Sequence, residues 1–202
     1  MMKKIFIILS LLLGLTLSAA EVPKQFRIQF QQKYKSKISN NVKSSDGFLI
    51  YSYPKKIRIE VSKPDQIIFV SNGKKSWYYR APFIEGEPGE VVVNQGGDNL
   101  NLLASFFDIL QRGFADNEHF RTVKNGTKLE LLFSAKFSQQ MKMKSAELTF
   151  SDSTYDLMKL KMMKLNYLEA ESGNFEIQSI QSATTDLKTF DFIIPPNTKV
   201  SE

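Results

Sequence analysis

The sequence predicts an α+β protein in which many short strands form a barrel or strongly curved antiparallel sheet, with two helices covering its concave face. Several segments alternate apolar and polar residues, as Ile57, Ile59 and Val61 do, which is the pattern of a half-buried strand. Turn-forming pairs such as Asn72-Gly73 join these segments into hairpins. Aromatic residues at helical spacing occur in two stretches, one near the N-terminus and one mid-chain.

The first 20 residues are predicted to be a signal peptide. Lys3 and Lys4 precede an apolar run over residues 5–17, which is shorter than a membrane-spanning helix, and small residues occupy positions 18–20. Cleavage after Ala20 would leave residues 21–202, about 180 residues, which is enough for one domain with a sizeable core. The alternative is an uncleaved N-terminal anchor. The sequence thus predicts export of a single domain.

The N-terminal third is predicted to contain a helix followed by a meander. Residues 21–38 are assigned to an amphipathic helix because Phe26, Phe30 and Tyr34 recur every four residues between Lys and Gln. Residues 47–79 are predicted to be a four-stranded antiparallel meander. Its strands are expected at 47–53, 57–61, 66–71 and 76–79.

The middle of the chain is predicted to hold a short strand at 90–94 and then a helix. Asp98 or Asn99 would cap this helix, and Gly113 would follow its last turn. Its apolar face carries side chains at positions i, i+3, i+4 and i+7, namely Leu103, Phe106, Phe107 and Leu110.

The second half returns to strands, which brings the expected total to about ten or eleven. The expected strand residues are 120–124, then Leu129, Leu131 and Phe133, then Ala146, Leu148 and Phe150, then 158–165, then Phe175 and Ile177, and finally Phe190, Phe192 and Ile194. Because alternating strands have one apolar face, the two helices are expected to cover that face as a plug or lid.

The composition argues against catalysis, metal binding and nucleic-acid binding. The chain has one histidine, His119, and no cysteine, which leaves too few residues for a zinc site or a catalytic triad. No phosphate-binding or dinucleotide-binding motif is complete, so no cofactor is expected. The net charge of +6 is mild and spread along the chain.

The apolar inventory has two interpretations. The chain contains 16 Phe, 7 Met and 7 Tyr, and several methionines cluster at 158–163. Flexible thioethers suit a binding surface that adapts to varied apolar ligands, but they also fill ordinary cores. Composition alone does not decide between a binding surface and an ordinary core.

One window resembles a known family. Its residues are Ile57-Arg58-Ile59-Glu60, then Val70-Ser71-Asn72-Gly73-Lys74 and Trp77-Tyr78-Tyr79, flanked by 47–54 and 81–85, with Phe190-Asp191-Phe192 and Pro195-Pro196 near the C-terminus. This arrangement resembles the outer-membrane lipoprotein carrier family, LolA, most specifically over 47–85. The resemblance implies an incomplete barrel of the α+β class, with helices as a lid over a cavity for lipoprotein acyl chains.

The resemblance also implies partners and a location. The expected partners are acylated lipoproteins, an inner-membrane lipoprotein-releasing ABC transporter and, in some bacteria, an outer-membrane acceptor lipoprotein, with the carrier itself a periplasmic monomer that is not an enzyme. The residues expected to form the cavity and lid are Phe26, Phe30, Tyr53, Ile57, Ile59, Val61, Trp77, Phe106, Phe107, Leu110, Leu131, Phe133, Leu148 and Phe150.

Tyr53 marks a departure from the family pattern. Many members carry an arginine before the proline that corresponds to Pro54, and that arginine holds the lid shut through helix carbonyls. A phenol offers one donor and a large apolar ring, so Tyr53 is expected to hold the lid by packing on Phe106 or Phe107. The alternative is that Tyr53 is simply a strand aromatic.

A second function class stays open from the sequence. Proteins of related fold act in the periplasm as regulators that bind stress-sensor domains, although those usually carry a further C-terminal domain. A lipid-processing enzyme is the third alternative, and the missing catalytic constellation disfavours it.

Overall fold

The computed structural model describes residues 22–35, 42–63, 65–96 and 102–202. The predicted signal peptide and the predicted helix cap at Asp98 or Asn99 lie outside these ranges. No helix in the described ranges has the length and apolar character needed to cross a membrane.

Within the described residues, twelve strands form a single sheet and two α-helices pack against it. The strands are β1 (Gln25–Lys35), β2 (Val42–Ser52), β3 (Lys56–Val61), β4 (Ile67–Asn72), β5 (Lys75–Arg80), β6 (Gly89–Gln95), β7 (Phe120–Asn125), β8 (Lys128–Phe133), β9 (Met143–Phe150), β10 (Leu160–Tyr167), β11 (Gly173–Ser182) and β12 (Thr198–Ser201). The α-helices are α1 (Leu102–Leu110) and α2 (Ala135–Met141), and 3₁₀ turns occupy Leu157–Lys159 and Leu187–Phe190.

The strand order is β12-β6-β5-β4-β3-β2-β1-β11-β10-β9-β8-β7. All neighbours are antiparallel except β12 and β6, which pair in parallel. The order ends at β12 and β7, so the sheet is open and forms an incomplete barrel. This confirms the predicted fold class, and the meander of β2 to β5 confirms the predicted arrangement of 47–79.

Helix α1 lies inside the curve of the sheet. Its Phe107 ring contacts Phe26 of β1 and Tyr51 of β2, with centroids 5.1 and 5.4 Å apart. The neighbouring Phe106 ring contacts Phe133 of β8 at 6.3 Å. Because one short helix touches strands from both halves of the sheet, the sheet must wrap around it. The predicted apolar face of this helix is therefore confirmed.

The predicted helix over 21–38 is wrong, because β1 occupies Gln25–Lys35. A spacing of four residues keeps side chains on one face of a strand as well as of a helix. Ile28, midway between Phe26 and Phe30, is buried with them in the same cluster. Two-residue periodicity therefore decides the structure, and both aromatics reach the core from the sheet instead of from a covering helix.

The C-terminal segment is also different from the prediction. Phe190, Phe192 and Ile194 were expected in a strand, but a 3₁₀ turn and an irregular stretch lead to β12. This strap, residues 187–201, lies on the convex face, where the Phe192 ring contacts Tyr79 at 5.6 Å. Arg58, paired with Glu60 at 2.6 Å, donates from Nη1 to the Thr189 carbonyl. The strap thereby covers a second apolar cluster that contains Val70, Trp77 and Val93.

Candidate functional site

The concave face of the sheet carries an apolar track across six strands. The register aligns its members side by side on one face: Ile28, Leu49, Ile59, Phe69, Tyr78 and Val92. Ile28 and Leu49 are buried, while Val92, at the far end, is 38% exposed. The track therefore begins in the packed core and becomes accessible toward β6.

A partly open apolar cavity of about 200 Å³ lies between this track and α1. Its lining comes from β1, β2, β3, α1, β10 and β11: Ile28, Phe30, Gln32, Leu49, Ile59, Val61, Leu103, Met163, Phe175 and Ile177. An apolar cavity of about 150 Å³ stays dry and takes up a molecule such as benzene. The cavity therefore suits a short segment of a hydrocarbon chain.

Helix α1 is held over the cavity by polar contacts of Asp108, in its last turn, and of Gln111, just after its end. Tyr51 Oη donates to Asp108 Oδ1 at 2.6 Å, and the Lys55 backbone N–H donates to the same oxygen at 3.1 Å. Gln111 Nε2 donates to the Pro23 carbonyl at 3.0 Å. Asp108 thus joins α1 to the turn between β2 and β3. Tyr51 and Asp108 are called the latch below.

The latch donor stays protonated. Burial, followed by the hydrogen bond to Asp108, raises the pKa of the Tyr51 phenol far above its usual range. The Tyr51 ring also packs on Phe26 at 5.0 Å, so the hydroxyl is aimed at Asp108 by a fixed aromatic cluster. A phenol that donates to a carboxylate makes a short and comparatively strong hydrogen bond.

Twelve of the fourteen residues predicted for the site belong to the large hydrophobic cluster on the concave face or pack against it. This cluster is called the main core below. Three of these, Phe30, Ile59 and Val61, line the cavity directly. The others pack around it in the main core, and their role toward a ligand stays a prediction: Phe26, Ile57, Phe106, Phe107, Leu110, Leu131, Phe133, Leu148 and Phe150.

The structure places the remaining two residues elsewhere. Trp77 belongs to the second cluster on the convex face, because its register partners Val70 and Val93 lie there.

Tyr53 is 45% exposed, and the ring that packs on Phe107 is that of Tyr51. The expected packing of Tyr53 on the lid is therefore wrong, and Tyr51 occupies that place. Residues 48–51 are all apolar or aromatic, so the sequence carried no alternation that would single out Tyr51.

Gly47 leaves room for the Phe30 ring, which lines the cavity. It lies opposite Phe30 in the pairing of β1 with β2, and an added Cβ would meet Glu60 O at 2.6 Å and Phe30 Cζ at 2.8 Å. Only a residue without a Cβ lets the Phe30 ring lie across the strand at this point.

Gly47→Ala is therefore expected to lower the free energy of unfolding by about 1–3 kcal/mol, the usual cost of overpacking. Denaturant unfolding would measure this. Gly173→Ala is the control and should lower the stability less, because its Cβ would meet side-chain atoms, the nearest being the Phe175 ring at 3.0 Å, and no backbone atom as close as Glu60 O is to Gly47. Equal stability of Gly47→Ala and the parent protein would contradict the close approach.

Comparison with known proteins supports one family. The model of the family described as outer membrane lipoprotein carrier protein LolA matches residues 22–193. A relative from Idiomarina loihiensis, named outer-membrane lipoprotein carrier protein, is 30% identical over 52% of this chain and 56% of its own length. One of the same name from Pseudoalteromonas translucida is 24% identical over 89% of this chain and 81% of its own. The chain thus spans about half the length of the Idiomarina relative.

One solved structure matches this chain weakly. The LolA superfamily protein from Nitrosomonas europaea is 10% identical, with a TM-score of 0.45 over 86% of this chain and 93% of that one. The family model matches most of the chain, from the start of the described residues to the strap. This protein therefore belongs to the outer membrane lipoprotein carrier family, LolA.

Proposed function

We propose that this protein binds the acyl chains of lipoproteins on its concave face and carries them through the periplasm to the outer membrane. The observation that carries this proposal is the apolar cavity under α1, continuous with the apolar track. Exposing an acyl chain to water costs about 0.8 kcal/mol per CH₂. A triacylated protein therefore needs such a shielded surface to cross an aqueous compartment.

The size of the track agrees with this cargo, whereas the cavity under α1 is too small for it. Five inter-strand spacings of about 4.8 Å make the track about 24 Å long. One leaflet of a bilayer core is about 15 Å thick, which sets the scale of an acyl chain. The cavity of about 200 Å³ holds only a short segment of one chain. Loading therefore requires α1 to move away from the sheet.

Recognition by apolar area suits cargo proteins that differ while their lipids are alike. The free energy of binding then scales with the buried area, and opening of the lid offsets part of it. Such an offset lets the carrier release its cargo. Asp108 and Tyr51 would set the size of this offset.

The wider setting forms part of the proposal. Residues 1–20 would direct export and be removed, so that the mature chain begins at Glu21 in the periplasm. The cargo would come from an inner-membrane ABC transporter and pass to the outer membrane, directly or through an acceptor lipoprotein. The protein would act as a monomer and without catalysis.

The function is tested by depleting the protein in its source cell and separating the two membranes. Lipoproteins of the outer membrane are expected to accumulate in the inner membrane, and re-expression should reverse this. As a control, integral outer-membrane proteins without acyl chains should keep their distribution. An unchanged distribution of lipoproteins after depletion would refute the proposed transport.

A further inference from the structure

Beside the apolar track, a second row on the concave face changes from apolar to polar. Register aligns its members on the same face as the track: Phe26, Tyr51, Ile57, Ser71, Ser76 and Asn94. The first three belong to the main core. The next two, Ser71 and Ser76, face each other across β4 and β5 and are called the serine pair.

Ser76 has an unsatisfied hydroxyl. The residue is 1% exposed, and among the described residues its Oγ finds no hydrogen-bond partner. Ser71 Oγ, by contrast, accepts from the Gly73 backbone N–H at 3.2 Å. A buried hydroxyl without a partner is costly, and natural cores rarely keep one without a purpose. The Ser76 hydroxyl is thus a free donor on the face that holds the track.

The serine pair lies one step away from the apolar track. Ser71 follows Phe69 by two residues on β4, and Ser76 precedes Tyr78 by two residues on β5. Two residues of a strand span about 7 Å. A ligand whose hydrocarbon chain follows the track therefore has its polar end within reach of Ser76, once α1 has moved away from the sheet.

We propose that Ser76 donates a hydrogen bond to an ester carbonyl oxygen that links an acyl chain to its lipoprotein, with Ser71 beside it. This inference rests on the proposed carrier function and adds a polar contact to it. An ester carbonyl accepts hydrogen bonds and donates none, which complements the free Ser76 hydroxyl. Such a contact fixes where the acyl chain begins, while the track shields its length.

The test compares two lipopeptides that differ only in this linkage, one with two ester-linked chains and one with two ether-linked chains of equal length. The wild-type protein is expected to bind the ester probe about 2- to 10-fold more tightly, the range of one neutral hydrogen bond. Ser76→Ala should remove this preference by weakening ester binding alone. Equilibrium titration of fluorescent versions would measure both affinities.

Ser145→Ala is the matched control, since Ser145 is also a buried strand serine, and its Oγ accepts from Asn166 Nδ2 on the opposite face of the sheet. This variant should keep the ester preference. Equal binding of both probes by the wild type, or an ester preference that survives Ser76→Ala, would overturn the inference while the carrier function stands. Failure of the wild type to bind either probe would overturn both the inference and the carrier function.

Ser76→Ala should also unfold at a temperature no lower than the wild type does, because it removes an unpaired hydroxyl. A lower unfolding temperature would show that the hydroxyl is paired and would also overturn the inference.

Discussion

Asp108→Ala is expected to raise the affinity for an acylated peptide about 10- to 100-fold by releasing helix α1. The carboxylate accepts from Tyr51 Oη and from the Lys55 N–H, both in the closed arrangement. A hydrogen bond to a charged group contributes about 1.5–3 kcal/mol, and about 1.4 kcal/mol corresponds to a factor of ten. If cargo binds only when α1 is displaced, weakening the closed state strengthens binding by the same factor.

Equilibrium titration with a fluorescent lipopeptide would measure this effect, and association rates should rise in parallel, because more of the free protein has α1 displaced. Tyr51→Phe, which keeps the ring and removes one donor, should shift the affinity in the same direction by less. Asp116→Ala is the control, because Asp116 Oδ1 also accepts a backbone N–H, that of Thr122 in β7, and not one that joins α1 to the turn between β2 and β3. Unchanged or weaker binding by Asp108→Ala would show that this contact does not restrain loading.

Ile59→Asp is expected to weaken acyl binding at least about 100-fold. Ile59 lies in the apolar track and lines the cavity. A carboxylate there must either lose its hydration or take up a proton, and either route costs several kcal/mol when an acyl chain fills the site. The cost applies to the bound state above all, because the introduced carboxylate makes the empty site polar enough to admit water.

Val123→Asp provides the matched control on β7, where the side chain is 47% exposed and pairs with Glu130 on the convex side. This variant should bind the lipopeptide with the same affinity as the wild type does. Ile59→Leu should also bind normally, since it keeps the volume and the apolar character. Circular dichroism would establish that each variant is folded. A folded Ile59→Asp protein with wild-type affinity would place the ligand elsewhere.

The meander was predictable because its local signals agree. Ile57, Ile59 and Val61 alternate with polar residues, and Asn72-Gly73 fixes the hairpin of β4 and β5. Helix α1 was predictable for the same reason, since its buried face repeats at helical spacing and Gly113, with φ of 83°, ends the turn after it. Local pattern and tertiary packing point to the same element in these segments.

The elements that the sequence did not predict are those whose secondary structure depends on tertiary contacts. In β1 the aromatics repeat every four residues, so only pairing with β2 and β11 distinguishes strand from helix. Helix α2 has seven residues, too few for a clear period, and is fixed by burial of Phe137 and Met141. Strand β12 follows two prolines and forms by parallel pairing with β6, a partner more than 100 residues earlier in the chain.

The apolar cluster beneath α1 was predictable from the sequence, whereas the polar contacts of α1 were not. Apolar residues on predicted strand faces do meet beneath α1, because alternation determines which face a side chain takes. The latch was missed because Tyr51 lies in the unbroken apolar run of β2, and Asp108 lies on the helix among the residues outside its apolar face. Their contact depends on how the helix is docked, which no local pattern encodes.

The central claim is that acyl chains bind on the concave face beneath α1, and photo-crosslinking tests it most directly. A lipopeptide with a photoreactive group in its acyl chain is bound, irradiated and mapped by mass spectrometry. Crosslinks are expected on the cavity lining, such as Ile59, Leu103 and Met163, and an unlabelled lipopeptide should compete them away. Crosslinks concentrated on the convex cluster around Trp77 and Val93, or labelling that resists competition, would contradict the account.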